Sequence, residues 1–147
     1  NGMMYDIILI AIETAMRRGE IASMEWRYVD LRRRVVHLPD TKNGESRDVP
    51  LSTRAVEVLQ ARSKVRNLKD SRVFPLRSDA IGLAFRRICR RAGIEGLRFH
   101  DLRHEATTRM AERLHPLELA RVTGHRDTKM LLRYYNPRAE DLARKLG

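Results

Sequence analysis

The chain has 147 residues, 42% of them apolar and 33% charged, which is enough for about one domain that buries its own core. No apolar run approaches the ~18 residues of a membrane span; the longest, Ile7 to Ile12, stops at Glu13, and a lone cysteine, Cys89, excludes an internal disulfide. Lysine and arginine number 30 against 19 acidic residues, and the resulting net charge of +11 calls for a polyanionic partner, while the scarcity of aromatics disfavours a platform that stacks single-stranded bases.

From Met3 to about Met16 the apolar residues are dense enough for a largely buried helix, which Gly19 interrupts before "EIASMEW" forms a short second one. "RRVVHLPDTKNGESRDVPL" reads as a hairpin turning at Asn43-Gly44, the strongest short-range turn signal in the chain. With those residues at the centre, Leu38 pairs with Val49 and Val36 with Leu51, and the apolar side chains share one face. Lys42 then stands at the tip. Ser52 or Thr53 caps a helix to about Val65, and "SRVFPL" supplies a short third strand. From Ser78 to Arg91 apolar residues recur at Ile81, Phe85 and Ile88, with Arg86, Arg87, Arg90 and Arg91 opposite, and Gly93 ends the helix. Further helices run from about His100 to Arg113, from Pro116 to Gly124 and from Thr128 to the tyrosine pair; a last one carries Leu142 and Leu146. The fold class is mainly α with a small three-stranded antiparallel β-sheet, a single domain over residues 1–147.

"RFHDLRHEATTRM" concentrates His100, Arg103 and His104 on one helix face. A zinc site, a phosphate clamp and a solvated helix all fit that spacing. Against zinc, a guanidinium sits between the histidines, and no other segment supplies an obvious third ligand. Elsewhere, Arg17 and Glu20 stand where one helix breaks and another begins, a place that attracts phosphate. His125 follows Gly124, and Tyr134 comes nine residues after His125.

Taken in order, Arg17, Glu20, Lys42, His100-x-x-Arg103, Gly124-His125 and Tyr134 resemble the catalytic domain of tyrosine recombinases, the phage-integrase family. The resemblance spans essentially the whole chain; each motif is weak alone, and the ordered set is specific. It implies the recombinase catalytic-domain fold and metal-free cleavage of duplex DNA. Tyr134 is the implied nucleophile, forming a 3′-phosphotyrosyl link. A tyrosine hydroxyl of pKa about 10 is a poor nucleophile at neutral pH, so cations and a base must help it. The resemblance gives Arg17 and Arg103 to the non-bridging oxygens, His125 to a further phosphate hydrogen bond, His100 to proton exchange with the tyrosine, and Lys42 to the departing 5′-oxygen. Glu20 and His104 support. Lys64 and Lys69 lie off the hairpin and are poorer choices than Lys42. Tyr135 is the rival nucleophile.

Arg86, Arg87, Arg90 and Arg91 are candidates for the DNA backbone, where they would position without reading sequence. No metal and no cofactor is expected. The expected partners are duplex DNA and further copies of the chain, as a tetramer on DNA and a monomer as the isolated domain, with Leu142 and Leu146 in an assembly contact. The expected setting is a bacterial cytoplasm. The chain starts at Asn1, and the expectation is a C-terminal fragment without the N-terminal DNA-holding domain of the family. Two other functions share parts of the pattern: a type IB topoisomerase, which relaxes supercoils, and a non-catalytic DNA-binding accessory protein.

Overall fold

In the computed structural model, which describes residues 2–39 and 44–147, seven α-helices accompany a small sheet. Helix α1 (Gly2–Thr14) is the central one: Met4, Ile7, Ile10 and Ala11 are buried on it. It packs against α3 (Thr53–Ser63) and α5 (Phe99–Ala111). The break after α1 falls at Ala15 and not at Gly19, which lies inside α2 (Arg18–Ser23). Ala15 takes a left-handed φ of 60°, and the Thr14 hydroxyl bridges the break by donating to the Ile10 carbonyl and accepting from Met16 N. A non-glycine residue in that conformation costs about 1–2 kcal/mol, and here the Ala15 carbonyl is turned to receive Arg103.

The sheet has the order β1 (Val29–Asp30), β2 (Val35–Leu38), β3 (Arg47–Pro50), all antiparallel. Two expectations change here. Val36 pairs with Val49 and Leu38 with Arg47, a register two residues away from the one a tight Asn43-Gly44 turn imposes. A slip of two keeps every side chain on its face, so the apolar pattern cannot choose between the registers. The observed one sets His37 opposite Asp48, with Nδ1 and Oδ1 2.7 Å apart. The second change concerns "SRVFPL", which is not the third strand. Arg72 forms only an isolated bridge with Glu25, while Val73 and Phe74 are core residues. Backbone bonds from Trp26 to Ser71 and from Val73 to Met24 pin that segment, and β1 completes the sheet instead.

Ser52 caps α3 by accepting from Ala55 N at 3.1 Å. Helix α4 (Ser78–Arg91) buries Ile81, Phe85 and Cys89, and Phe85 meets Phe99 of α5 edge-on at 5.4 Å. Each such buried side chain stabilises by about 1.5–3 kcal/mol. Helix α6 (Pro116–Thr123) opens on Pro116 and closes at Gly124, whose φ is 78°. A 3₁₀ helix (Thr128–Tyr134) and α7 (Ala139–Leu146) complete the chain. Among the described residues no helix is long and apolar enough to cross a membrane.

Candidate active site

Five elements deliver the site: α2, β3, α5, the end of α6 and the 3₁₀ helix. Arg17 is the residue before the first turn of α2, and Glu20 reaches back to accept from its backbone N at 2.8 Å. The Arg17 guanidinium lies 3.6 Å from Glu20, and its Nη1, although buried, has no hydrogen-bond partner among the described residues. Glu20 is only 6% exposed because its main partner is another cation, Arg47 of β3. Arg47 holds Glu20 with both terminal nitrogens and gives its Nε to the Val122 carbonyl at 3.1 Å. Burial pushes the Glu20 carboxyl up, but Arg47 and Arg17 together outweigh it and leave the pKa below the usual value.

Arg103 sits on the inner face of α5, 5% exposed. Its Nη1 donates to the Ala15 carbonyl and its Nη2 to the Thr123 carbonyl at 2.8 Å, tying α5 to the α1–α2 break and to the end of α6. A guanidinium has five N–H donors, so this anchorage leaves others for an anion. Burial, then the charge of Arg17, pulls the Arg103 pKa down to about 10.

His125 lies just past Gly124, with Nδ1 2.6 Å from the Thr123 hydroxyl. That hydroxyl also bonds the Leu119 carbonyl, which can only accept. Both contacts are satisfied when His125 carries its proton on Nδ1. Burial, then Arg103 and Arg17, takes its pKa down to about 4. His100 is exposed on α5 with its ring 4.9 Å from that of His104, edge to face. Burial, then His104, Arg103 and Arg17, lowers its pKa too.

The two tyrosines part company. The Tyr134 hydroxyl is 2.8 Å from His104 Nδ1 and receives Arg133 Nη2 at 2.9 Å. The Tyr135 hydroxyl donates to the Leu114 carbonyl at 2.6 Å. A cleft of about 670 Å³ opens between α2, α4 and α5, lined by Arg17, Arg18, Arg86, Arg98 and His100 over an apolar floor. Arg87, Arg90 and Arg91 are exposed along the rest of α4. Lys42 lies outside the described residues. Among the described residues no three His, Cys, Asp or Glu side chains are grouped to hold a metal ion.

Arg47 and Thr123 escape a reading of the sequence, and Arg133 shows there only as the residue before Tyr134 that favours it over Tyr135. One signal for Arg47 was present: it alternates with buried Val49 on β3 and buried Leu51 just past its end, and an arginine on that face requires a buried acid. Thr123 carries no comparable signal.

Residues 3–141 match the family described as the phage integrase family. The shufflon-specific DNA recombinase of Escherichia coli is 48% identical over 148 residues, which cover 99% of this chain and 38% of that protein. The integrase of Salmonella phage P22 is 28% identical over 146 residues, 88% of this chain and 38% of that one. In structure, the XerA recombinase superposes over 99% of this chain and 57% of its own, with a TM-score of 0.78 at 19% identity. A lambda integrase(75-356) dimer bound to a COC′ core site gives 0.75 at 19% identity, over 94% of this chain and 53% of that chain. These likenesses establish the fold, that of tyrosine recombinase catalytic domains. The chain spans about 38% of the length of the curated relatives named here.

Proposed function

The chain belongs to the phage integrase family, and from that premise we propose that residues 1–147 form the catalytic domain of a site-specific tyrosine recombinase. It cleaves and rejoins duplex DNA through a 3′-phosphotyrosyl intermediate, as a homo-oligomer on DNA, and it uses neither a metal nor a cofactor. The observation that carries the reading is the buried Nη1 of Arg17, which faces Glu20 at 3.6 Å but has no hydrogen-bond partner among the described residues, in a cluster of cations that includes Arg103 and ends at Tyr134. An unsatisfied buried donor costs about 1–3 kcal/mol, and a phosphate oxygen satisfies it.

Arg17 and the free N–H groups of Arg103 bind the non-bridging oxygens, whose charge grows in the transition state. With its pKa held down to about 4, His125 is neutral at neutral pH. A phosphodiester brings an opposing charge that raises its pKa, and once protonated it donates from Nε2 to the phosphate. His100 borders the same cleft and takes part in the proton traffic. Lys42 protonates the leaving 5′-oxygen. Tyr134 is the nucleophile, because the Tyr135 hydroxyl is committed to Leu114. The phosphotyrosyl ester conserves the energy of the broken bond, so a strand hydroxyl can reseal it without ATP.

The test is covalent capture from a pool of nicked duplexes of randomised sequence, with EDTA present. An adduct that survives chelation and disappears in Tyr134→Phe but not in Tyr135→Phe supports the reading, and sequencing the captured DNA gives the target. Loss of the adduct on chelation, or its persistence in Tyr134→Phe, refutes it. DNA binding with no adduct from any sequence identifies an accessory binding protein instead.

A further inference from the structure

The residue that holds the nucleophile is one turn from the histidine the motif singles out. Tyr134 Oη, His104 Nδ1 and Arg133 Nη2 form a triangle with sides of 2.8, 2.7 and 2.9 Å. The Arg133 guanidinium also lies over the Tyr134 ring, 4.9 Å from its centre. A guanidinium has donors and no acceptor, so the nitrogen it approaches at 2.7 Å presents a lone pair. His104 Nδ1 is therefore unprotonated, and the ring's hydrogen is on Nε2. The Tyr134 hydroxyl receives a hydrogen bond from Arg133 and has its own hydrogen to give, and Nδ1 is the acceptor it faces. Nδ1 has one lone pair, which the Tyr134 O–H and the Arg133 N–H share, and an unprotonated Nδ1 facing the hydroxyl is what a base needs before it deprotonates a tyrosine.

We propose that His104 is the catalytic base that takes the proton of Tyr134, and that Arg133 is a positioning residue that holds the hydroxyl against Nδ1 and keeps Nδ1 in its unprotonated form. The inference rests on Tyr134 being the nucleophile of the recombinase reading. As Tyr134 Oη bonds to phosphorus, its hydrogen passes to His104 Nδ1. The bond from phosphorus to the 5′-oxygen breaks, and its electron pair leaves on that oxygen, which takes a proton from a separate acid. In rejoining, the 5′-hydroxyl gives its proton back to that acid as it bonds to phosphorus, and the imidazolium returns its proton to the departing Tyr134 Oη. The imidazolium faces the Arg133 cation at contact distance, and that repulsion makes it a ready acid for the return. His100, exposed at the cleft beside Arg17, then joins the proton traffic without itself taking the Tyr134 proton.

Burial and the charge of Arg133 hold His104 below the ordinary histidine range. The other groups facing it are His100 and Tyr134, with Asp101 favouring its charged form and Arg103 and Arg98 opposing it.

Two measurements decide the matter. In the first, the chain is labelled with nitrogen-15 at histidine, and His104 is followed by NMR as pH is varied, with Arg133→Gln alongside. The expected result is a neutral Nε2–H tautomer whose titration midpoint moves up in Arg133→Gln. A proton on Nδ1, or a midpoint indifferent to Arg133→Gln, overturns the arrangement. In the second, single-turnover cleavage of the captured sequence is compared with a duplex carrying sulfur at the bridging 5′ position. A thiolate leaves without a proton, so sulfur repairs the loss of the acid but not of the base. His104→Gln is expected to slow both substrates alike, by roughly 10²-fold or more. Arg133→Gln is expected to slow both by less and to move the rate-against-pH profile upward. Rescue of His104→Gln by sulfur, or an unchanged rate with oxygen, sinks the assignment while leaving the recombinase reading intact. No adduct from the native chain on any duplex fails the recombinase reading and takes this role with it.

Discussion

The Tyr135 hydroxyl donates to the Leu114 carbonyl, and burial followed by the charge of Glu118 pushes its pKa up, so it is tied to the scaffold. Tyr135→Phe should lower stability by about 1 kcal/mol, one hydrogen bond's worth, read as a fall in Tm, and should still yield the covalent adduct. The Glu20–Arg47 pair is of a different order because both side chains are buried, at 6% and 8% exposure. Removing one partner strands a buried charge, so Arg47→Met should destabilise by about 3 kcal/mol. Glu20→Gln should cost a similar amount, and the double variant less than the sum; denaturant unfolding of the four chains checks this. His125 sets a pH dependence whose sign follows from its depressed pKa. Above the ordinary value of 6.5 it is neutral in both folded and unfolded states and contributes no slope. Between 6.5 and about 4 the unfolded chain takes up a proton that the folded one refuses, so stability falls as pH falls through that window. Melting curves at pH 7.5 and 4.5 should show a smaller acid loss in His125→Gln than in the native chain.

At the scale of elements, two glycines fix how helices approach their neighbours. A methyl group on Gly124 would stand 3.0 Å from Arg47 Nη1 on a backbone with φ of 78°. The conformation alone costs an alanine about 1–2 kcal/mol, and Arg47 is held at both ends and cannot yield. Gly124→Ala should therefore destabilise and disturb the Glu20 contact together. Gly82, inside α4, is the opposite case. A Cβ there would lie 2.2 Å from Arg18 Nη1, the end of a flexible and exposed arm whose Nε holds Ser78 at 3.0 Å. Moving that arm is cheap, and alanine in place of glycine within a helix gains about 0.5–1 kcal/mol. Gly82→Ala should melt slightly higher while binding DNA more weakly, because it dislodges an arginine from the cleft. The helices were largely legible in the sequence, since their apolar spacing and their caps at Ser52, Pro116 and Gly124 are local properties. The hairpin register was not, because a two-residue slip preserves the apolar face, and the observed register belongs to long-range contacts of Arg47 with Glu20 and Val122.

Over the whole molecule, the net charge of +11 is carried on an arginine-rich surface, with Arg86, Arg87, Arg90 and Arg91 exposed along α4 beside the cleft. If that face lies on phosphates, DNA binding falls steeply with salt, and each lost contact lowers the slope of log K against log salt by about 0.9. Arg87→Gln with Arg90→Gln should thus flatten the slope by about 1.8 in anisotropy titrations at several salt concentrations, without a change in Tm. An unaltered slope would mean that α4 faces solvent in the complex.

The sequence by itself determined the helical class, the basic partner-seeking surface and the ordered set of arginines, histidines and tyrosine, because periodicity, charge and residue spacing are all written along the chain. The tertiary structure alone decided that the chain turns at Ala15, that Glu20 belongs to Arg47, that Arg103 is anchored on two carbonyls, and that Tyr134 meets His104 and Arg133. Most of these pairings join residues far apart in the chain. Which of several like-charged side chains closes such a contact depends on how helices and strands pack, and residue order carries no record of that.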